Sequence, residues 1–359
     1  MDPRDLPMIR RDPLPSHPVR LERRRPHRRR LLDLIERFQG VGIAVLGDFM
    51  LDEFVYGEIA RVSREAPVLI LEHRESRFAP GGAGNTVANL RALGALPFPV
   101  GRIGRDEPAE RLLELLDRQR VDCSGIVRDA AYVTPVKTRI LAGSPHTAKQ
   151  QVVRIDHGTS AAPPSAPVRS RISRCLARAR PSASGLLIAD YGYGSVDSSD
   201  PQLRRWLSDD GASVNVDSRF RVLDFPGVTA ATPNIAEVEA AIGVSLPDED
   251  LRAIERAGAK LLEKLRARAV LVTRGSQGMS VFEKGHRPEH VPAYGTDEVA
   301  DVTGAGDTVA ATFILGLLSG GSFLEAAILS NYAGGIAVTK RGTATVSPAE
   351  LTAAVEKDA

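Results

Sequence analysis

The chain has 359 residues, of which 43% are hydrophobic and 26% are charged, a composition that is typical of a folded globular protein and excludes a mainly disordered one. It contains no run of about 18 apolar residues, so we expect no transmembrane helix. Its two cysteines, Cys123 and Cys175, form no CxxC and no Cys/His cluster, which argues against a disulfide scaffold and a structural zinc site and favours a reducing, cytoplasmic location.

The net charge of +2 is distributed unevenly along the chain. Residues 1–30 contain ten arginines, four acidic residues and few apolar ones, so they cannot bury a core and we predict a disordered head. A solvated tail or a misassigned start codon is the simplest interpretation. An arm that binds nucleic acid or an acidic partner, and an organelle-targeting segment, are the alternatives. The remaining residues are mildly acidic and give no reason to expect nucleic-acid binding.

From Leu31 onward, short apolar strands alternate with amphipathic helices. The predicted strands are residues 41–47, 97–101, 185–190, 213–217, 269–273 and 278–282. The predicted helices are residues 82–93, 107–119, 202–207, 235–242 and 250–265, and two helices close the chain at 305–318 and 323–340. Strands separated by helices of this length predict βαβ units, and therefore an α/β fold with a mostly parallel central sheet and helices on both faces.

Two segments interrupt this alternation. Residues 53–72 contain EFVYGEI and PVLILE, and residues 133–156 contain VKTRILAG and QQVVRID, with no helix inside either segment. We predict that each folds as an antiparallel hairpin and that the two hairpins form a small inserted β-sheet lid over one end of the main sheet. The Pro/Ser/Ala-rich stretch 157–167 is predicted to be a linker back into the body. Residues 31–359 would then form one domain after the head.

The strongest functional signal is DVTGAGDT at residues 301–308, directly before an apolar helix. Gly304 and Gly306 allow the backbone to approach a ligand closely. The turn leads into a helix N-terminus, whose free N–H groups and dipole favour an anion such as a phosphate. At that place Asp307 can accept a proton from an attacking hydroxyl during phosphoryl transfer. The alternative is a capped helix in which Asp307 only stabilises the helix dipole.

This motif resembles the C-terminal signature of the pfkB, or ribokinase-like, sugar kinases. FAPGGAGNTVANLRALG at 78–94 and GRIGRD at 101–106 resemble the family's N-terminal motif, and the likeness runs from about residue 41 to 350. GDFMLD at 47–52, QQVVRID at 150–156 and LVTRGSQGMS at 271–280 are also similar to the kinase domain of heptose-7-phosphate kinases. The resemblance implies a ribokinase-like fold, ATP and Mg²⁺ as cofactors, and leaves a monovalent-cation requirement open.

The resemblance implies three groups of site residues. The catalytic group would be the base Asp307 with Gly304, Ala305 and Gly306 as the anion hole. The substrate-binding group would be Asp48, Asp52, Gly81, Gly82, Asn85, Lys137, Arg139, Arg154 and Asp190. The nucleotide-binding group would be Asn234, Glu237, Thr273, Arg274, Gly275, Gly278, Thr303 and Asn331, with Glu237 also holding Mg²⁺ through water.

Elementary chemistry supports parts of this assignment. Asp48 and Asp52 follow the first strand at the carboxyl edge of the sheet, where open α/β sheets bind ligands, and carboxylates accept hydrogen bonds from sugar hydroxyls. Lys137, Arg139 and Arg154 lie on the lid, and a substrate that already carries a phosphate needs cations at its far end. The alternatives are strand-end turn acids, helix caps and edge-strand charges that hinder aggregation.

The function that the resemblance implies is an ATP-dependent kinase of a sugar phosphate. It would phosphorylate D-glycero-D-manno-heptose 7-phosphate at O1, giving the 1,7-bisphosphate for ADP-heptose and lipopolysaccharide synthesis, as a cytoplasmic homodimer joined through the lid. Another kinase of the family, acting on a hexose phosphate, ribose or a nucleoside, and a non-catalytic sugar-phosphate sensor stay open. The chain departs from many relatives in lacking a lysine at two places, within Tyr191-Gly192-Tyr193-Gly194 and within Ser218-Arg219-Phe220.

Overall fold

The computed structural model describes residues 28–143, 149–158, 163–247, 250–295 and 300–358. Residues 1–27 of the predicted disordered head lie outside this part of the chain. Residues 28–30 lie inside it and form the start of a helix, so the prediction of a disordered head is wrong for them. The reason is that Leu31, Leu34 and Ile35 form an apolar stripe that packs on the body, and the helix that carries them extends back to Arg28.

The strands of the described residues are β1 (Gly42–Gly47), β2 (Phe49–Val62), β3 (Leu69–Gly82), β4 (Leu96–Ile103), β5 (Ile126–Arg128), β6 (Val136–Gly143), β7 (Gln150–His157), β8 (Gly185–Asp190), β9 (Ser213–Ser218), β10 (Ala230–Ala231), β11 (Ala269–Thr273), β12 (Met279–Glu283) and β13 (Glu289–Val291). The helices are α1 (Arg28–Glu36), α2 (Ala83–Ala92), α3 (Glu107–Arg118), α4 (Ala166–Ala179), α5 (Pro201–Leu207), α6 (Ile235–Ile242), α7 (Leu251–Leu265), α8 (Ala305–Leu318), α9 (Phe323–Val338) and α10 (Pro348–Lys357).

The central sheet has the strand order β13-β12-β11-β10-β9-β8-β1-β4-β5. Its pairs from β5 to β11 are parallel, and β12 and β13 continue the sheet antiparallel. The central strands β1 and β8 are buried along their whole length, as expected for apolar strands covered on both faces. Helices α1, α2, α3, α8, α9 and α10 pack on one face, and α4 to α7 pack on the other. The predicted α/β architecture is confirmed.

The lid is the second sheet, with the strand order β3-β2-β6-β7. Both predicted hairpins, β2 with β3 and β6 with β7, are antiparallel, and a parallel pairing of β2 with β6 joins them. The first hairpin is longer than the predicted 53–72, since β2 begins at Phe49 and β3 ends at Gly82. The lid therefore starts directly after Asp48 and leads directly into α2.

Three of the described helices, α1, α4 and α10, were absent from the sequence prediction. Helix α4 begins at Ala166, inside the predicted linker 157–167, and residues 159–162 of that linker lie outside the described part of the chain. Helix α10 follows the two helices that were predicted to close the chain, and Ser347 and Glu350 form its capping box. In the described ranges, no helix combines the length and the hydropathy needed to cross a membrane.

Candidate active site

Asp307 lies in the first turn of α8, where the chain leaves the sequence DVTGAGDT. Gly304 caps this helix with a φ of 78°, and a Cβ at Gly304 would lie 2.4 Å from Nδ2 of Asn85. Only glycine fits a left-handed residue against that amide. Gly306 is exposed and a Cβ there would meet no atom within 4 Å, so the turn leaves open space beside Asp307.

The backbone N–H groups at this helix start form part of the predicted anion hole. The N–H of Ala305 donates to the carbonyl of Val302 at 3.3 Å. In the described part of the chain, the N–H groups of Gly304, Gly306 and Asp307 donate to no protein group. These donors, at the positive end of the helix dipole, are the ones available to an anionic ligand.

The carboxylate of Asp307 is almost fully buried and accepts three side-chain hydrogen bonds. Asn85 donates to Oδ2 at 2.8 Å, and the hydroxyls of Thr86 and Tyr191 donate to Oδ1 at 3.1 and 2.6 Å. Burial raises the pKa of Asp307 to about 6, although the three donors oppose this rise by stabilising the charged form. A carboxylate with this pKa is ionised at neutral pH and can still take up a proton, as a general base must.

Asp48 was predicted to bind the sugar, but its carboxylate is engaged elsewhere. It is fully buried and accepts hydrogen bonds from the backbone N–H groups of Tyr191, Tyr193 and Ser195, at 2.9, 2.9 and 2.8 Å. Burial raises the pKa of Asp48, and the backbone donors lower it. These contacts make Asp48 the anchor of the loop after β8.

Asp52 lies on β2 and forms a buried ion pair with Arg139 on β6, at 2.8 Å between Oδ1 and Nη1. Gly81 faces Asp52 from β3, and a Cβ there would lie 2.8 Å from the carboxylate carbon. Gly82 follows as the N-cap of α2, the helix that carries Asn85. Of these predicted substrate residues, Asn85 contacts Asp307 directly, and the charge of Asp52 is near enough to raise the pKa of Asp307.

Lys137 lies on β6 beside Asp52 and is 6% exposed. Its ammonium group stands 5.0 Å from the centroid of the Tyr191 ring and forms no hydrogen bond or ion pair with a described residue. Burial lowers the pKa of Lys137, because the charged form is poorly solvated there. Arg154 is paired with Arg139 across β6 and β7, but it is exposed and forms an ion pair with Asp156.

Asp190 ends β8 and is also held by protein groups. Its carboxylate accepts hydrogen bonds from the hydroxyl of Ser218 at 2.7 Å and from the guanidinium of Arg221 at 2.6 Å. Like Asp48, it therefore has structural partners at the edge of the sheet where we predicted a sugar ligand.

The predicted nucleotide-binding residues lie at the start of α6 and around β11. Asn234 and Glu237 form a capping box at α6, in which Oε2 of Glu237 accepts from the Asn234 N–H at 2.9 Å. Thr273 ends β11 next to Asn234, and Arg274, Gly275 and Gly278 lie in the turn that follows. Thr303 donates its N–H to Asp301, and the amide of Asn331 donates to the carbonyl of Pro292 at 2.8 Å.

Sequence reasoning missed three side chains of this site. Thr86 and Tyr191 contact Asp307 directly, and Asp217, the next-to-last residue of β9, has its charge close to those of Glu237 and Asp307. Burial and these like charges raise the pKa of Asp217. Tyr191 directly follows β8, and Asp217 lies near the end of β9. The carboxyl ends of these strands form the edge at which the sequence predicted ligand binding, so this position could have identified both residues. No group of three His, Cys, Asp or Glu in the described ranges is arranged to hold a metal ion.

Residues 43–161 and 211–350 match the family described as pfkB family carbohydrate kinase. The chain is 37% identical over 330 residues to the bifunctional protein HldE of Pelobacter propionicus and 36% identical over 324 residues to that of Klebsiella pneumoniae subsp. pneumoniae. These alignments cover 91% and 89% of this chain but 66% and 65% of those relatives. The chain thus spans slightly less than two thirds of their length.

Solved structures show the same fold at low sequence identity. Ribokinase of Arabidopsis thaliana, complexed with ribose and ATP, has a TM-score of 0.66 and 20% identity, over 89% of this chain and 99% of that one. Phosphofructokinase-2 of Escherichia coli, in complex with fructose-6-phosphate, has a TM-score of 0.69 and 17% identity, with the same coverage. The likeness identifies the fold as ribokinase-like, with the lid as its second sheet.

Proposed function

The chain belongs to the pfkB family of carbohydrate kinases, which transfer a phosphoryl group to an alcohol, and we propose that its acceptor is a sugar that already bears a phosphate. We propose D-glycero-D-manno-heptose 7-phosphate as the acceptor, O1 as its reacting hydroxyl and ATP as the donor. The product, the 1,7-bisphosphate, would serve ADP-heptose synthesis. The motifs shared with heptose-7-phosphate kinases and the identity to the HldE proteins support this choice.

The observation that carries the proposal is the buried ammonium group of Lys137. A cation in a buried position is unfavourable unless an anion lies near it. Asp52, the carboxylate next to Lys137 on the lid, is already engaged by Arg139. The charges of Asp52 and Asp307 stabilise the ammonium group, but they do not offset the effect of its burial, which still lowers the pKa of Lys137. A phosphate on the substrate would supply a further anion above Tyr191, with Arg139 and Arg154 nearby on the same sheet, whereas an unphosphorylated sugar would supply none.

The proposed reaction uses groups of this chain for proton transfer and charge stabilisation. Asp307 accepts the proton of the O1 hydroxyl as the bond from O1 to the γ-phosphorus forms. The bond from that phosphorus to the bridging oxygen breaks, and ADP leaves. The N–H groups of Gly306 and Asp307 stabilise the charge on the transferring group, so catalysis rests on position and electrostatics. Closure of the lid would exclude water and limit ATP hydrolysis.

The nucleotide end is compatible with Mg²⁺. In the described part of the chain, Oε1 of Glu237 has no hydrogen-bond partner, and Asp217 lies near it. Burial is the main cause of the raised pKa values of Glu237 and Asp217. The nearby negative charge of Glu237 raises the pKa of Asp217 further. A divalent cation held through water by these oxygens and by the ATP phosphates would relieve that repulsion. Mg²⁺ supplies charge neutralisation of the triphosphate when bound.

The test is ATP consumption by the purified full-length chain across a panel of sugars, namely heptose 7-phosphate, fructose 6-phosphate, fructose 1-phosphate, ribose and adenosine. The variants are Asp307→Asn and Lys137→Met. We expect turnover on the heptose phosphate, a fall in kcat of about 10²–10⁴-fold in Asp307→Asn, and a rise of at least about tenfold in the sugar KM in Lys137→Met. Arg74→Gln is the matched control, because Arg74 is an exposed lid residue paired with Glu58.

Each other outcome has a definite meaning. Turnover on a different sugar, abolished in Asp307→Asn, retains the kinase and rejects the heptose. A Lys137→Met variant with an unchanged KM rejects the phosphate site on the lid. Binding of sugar phosphates without turnover of any of them would favour the alternative function, a non-catalytic sugar-phosphate sensor.

A further inference from the structure

The hydrogen bonds of Asp307 leave one position on its carboxylate open. A carboxylate offers two lone-pair positions on each oxygen. On Oδ1, both are taken by the hydroxyls of Tyr191 and Thr86, and on Oδ2, one is taken by the amide of Asn85. The remaining position on Oδ2 is the one at which an acceptor hydroxyl can deliver its proton. The protein donors thus select both the oxygen and the direction of proton transfer.

Tyr191 reaches Asp307 because the loop after β8 is held from two sides. Asp48 binds the N–H groups of Tyr191, Tyr193 and Ser195 with one buried carboxylate. From the other side, the guanidinium of Arg102, which is 2% exposed, donates to the carbonyl of Tyr193 at 2.9 Å and pairs with Asp129. A buried charge with this many hydrogen bonds holds the loop in one conformation.

We propose that Tyr191 is a positioning residue for the catalytic base, and that Asp48 acts through Tyr191 rather than as a ligand of the sugar. The proposal rests on the proposed function, since it takes Asp307 to be the base. The Tyr191 hydroxyl orients the carboxylate and occupies the second position on Oδ1, so that the sugar hydroxyl meets Oδ2 alone.

The charges around Asp307 are consistent with this role. The described titratable groups that face it are Tyr191, Asp52 on β2, Lys137 on β6 and Asp217 at the end of β9, while α2 contributes the uncharged Asn85 and Thr86. Burial and the charge of Asp307 raise the pKa of Tyr191, so its hydroxyl stays protonated and remains a donor through the neutral range. Its hydrogen bond lowers the pKa of Asp307, so losing that bond shifts this pKa upward.

The test is Tyr191→Phe, which keeps the ring beneath Lys137 and removes only the hydroxyl. We expect kcat/KM to fall by about 10- to 100-fold at neutral pH. Wild-type kcat/KM should decline below about pH 6, and the decline should begin at a higher pH in Tyr191→Phe. Tyr193→Phe is the matched control, because its hydroxyl lies in the same loop and bonds to no described residue. It should retain the wild-type pH profile.

Two further measurements separate the possible outcomes. The Asp48→Asn variant should lose activity, and adding Tyr191→Phe to it should reduce activity little further, since both act on one contact. Carbon-13 NMR titration of the Asp307 carboxyl, compared between wild type and Tyr191→Phe, needs no substrate. An upward shift supports the proposal even if every sugar in the panel fails and the proposed function falls. The proposal is overturned if the pKa of Asp307 is the same in wild type and in Tyr191→Phe. It is also overturned if Tyr191→Phe keeps the wild-type pH profile of kcat/KM together with an unchanged or higher kcat.

Discussion

At the scale of single residues, the site depends on close approach between side chains from distant parts of the chain. Asn85 and Asp307 are 222 positions apart, yet their polar atoms lie 2.8 Å from each other. This contact is possible because Gly304 has no Cβ and because its left-handed backbone turns the helix start toward Asn85. The glycine therefore determines how closely Asp307 can approach Asn85.

The substitution Gly304→Ala should disturb this contact. Its φ of 78° and a Cβ 2.4 Å from the Asn85 amide both oppose the change, so we expect a loss of about 1–3 kcal/mol in the free energy of unfolding and reduced turnover. Gly306→Ala is the control, because its Cβ meets no atom within 4 Å and should leave stability within about 0.5 kcal/mol. Urea denaturation measures the free energy of unfolding of both variants. Equal stability of the two variants would contradict the argument.

At the scale of elements, a chain of buried amides connects α2 to α8. Asn89 donates to Oδ1 of Asn85 at 3.1 Å and accepts from the hydroxyl of Thr308 at 3.0 Å. Asn85 in turn holds Asp307, so the two helices that carry the site are joined by polar contacts in an otherwise apolar interface. Such a network fixes the helices in one relative position.

We expect Asn89→Ala to show how much this network contributes. It leaves the Asn85 amide oxygen without this donor, so the free energy of unfolding should fall by about 1–3 kcal/mol. Turnover should fall as well, because the hydrogen bonds of Asn89 with Asn85 and Thr308 support the residues that hold Asp307. Thermal unfolding and steady-state kinetics measure the two effects. A variant with reduced stability and full kcat would show that Asn85 keeps its place without Asn89.

At the scale of the whole molecule, the lid exposes large apolar side chains to solvent. In the described part of the chain, exposed large hydrophobic side chains gather on and next to its strands, namely Ile59, Val62, Val68, Leu69, Val152, Val153 and Ile155. Exposed apolar side chains on a sheet are typical of interaction sites, and an exposed sheet edge pairs readily with another strand. We propose that a second copy of the chain covers the lid, giving the homodimer expected from the sequence.

The Ile155→Glu variant should weaken this dimer. A charge placed in the apolar part of an interface is unfavourable, so sedimentation at micromolar concentration should show a dimer for the wild type and monomer for the variant. Val244→Glu is the control, because Val244 is about as exposed as Ile155 but lies outside the lid. A monomeric wild type, or a variant that remains dimeric, would refute the interface.

The sequence by itself determined the α/β architecture, both hairpins of the lid and the place of Asp307 at the start of a helix. The central strands are continuous apolar runs, and the turn before α8 is rich in glycine and leads into an apolar helix, so local information was sufficient to predict these elements. Helix α4 was missed because its apolar residues are sparse among arginines and a Pro/Ser/Ala-rich stretch precedes it.

Only the tertiary structure decided what each polar residue does. Asp48 and Asp52 stand four positions apart with the same chemistry, yet Asp48 binds three backbone N–H groups and Asp52 binds Arg139. Tyr191 and Thr86 became part of the site because β8 and α2 place their hydroxyls against a carboxylate more than 100 positions away. Hydrogen-bond partners depend on three-dimensional proximity across the sheet edge, and residue spacing along one chain does not encode that proximity.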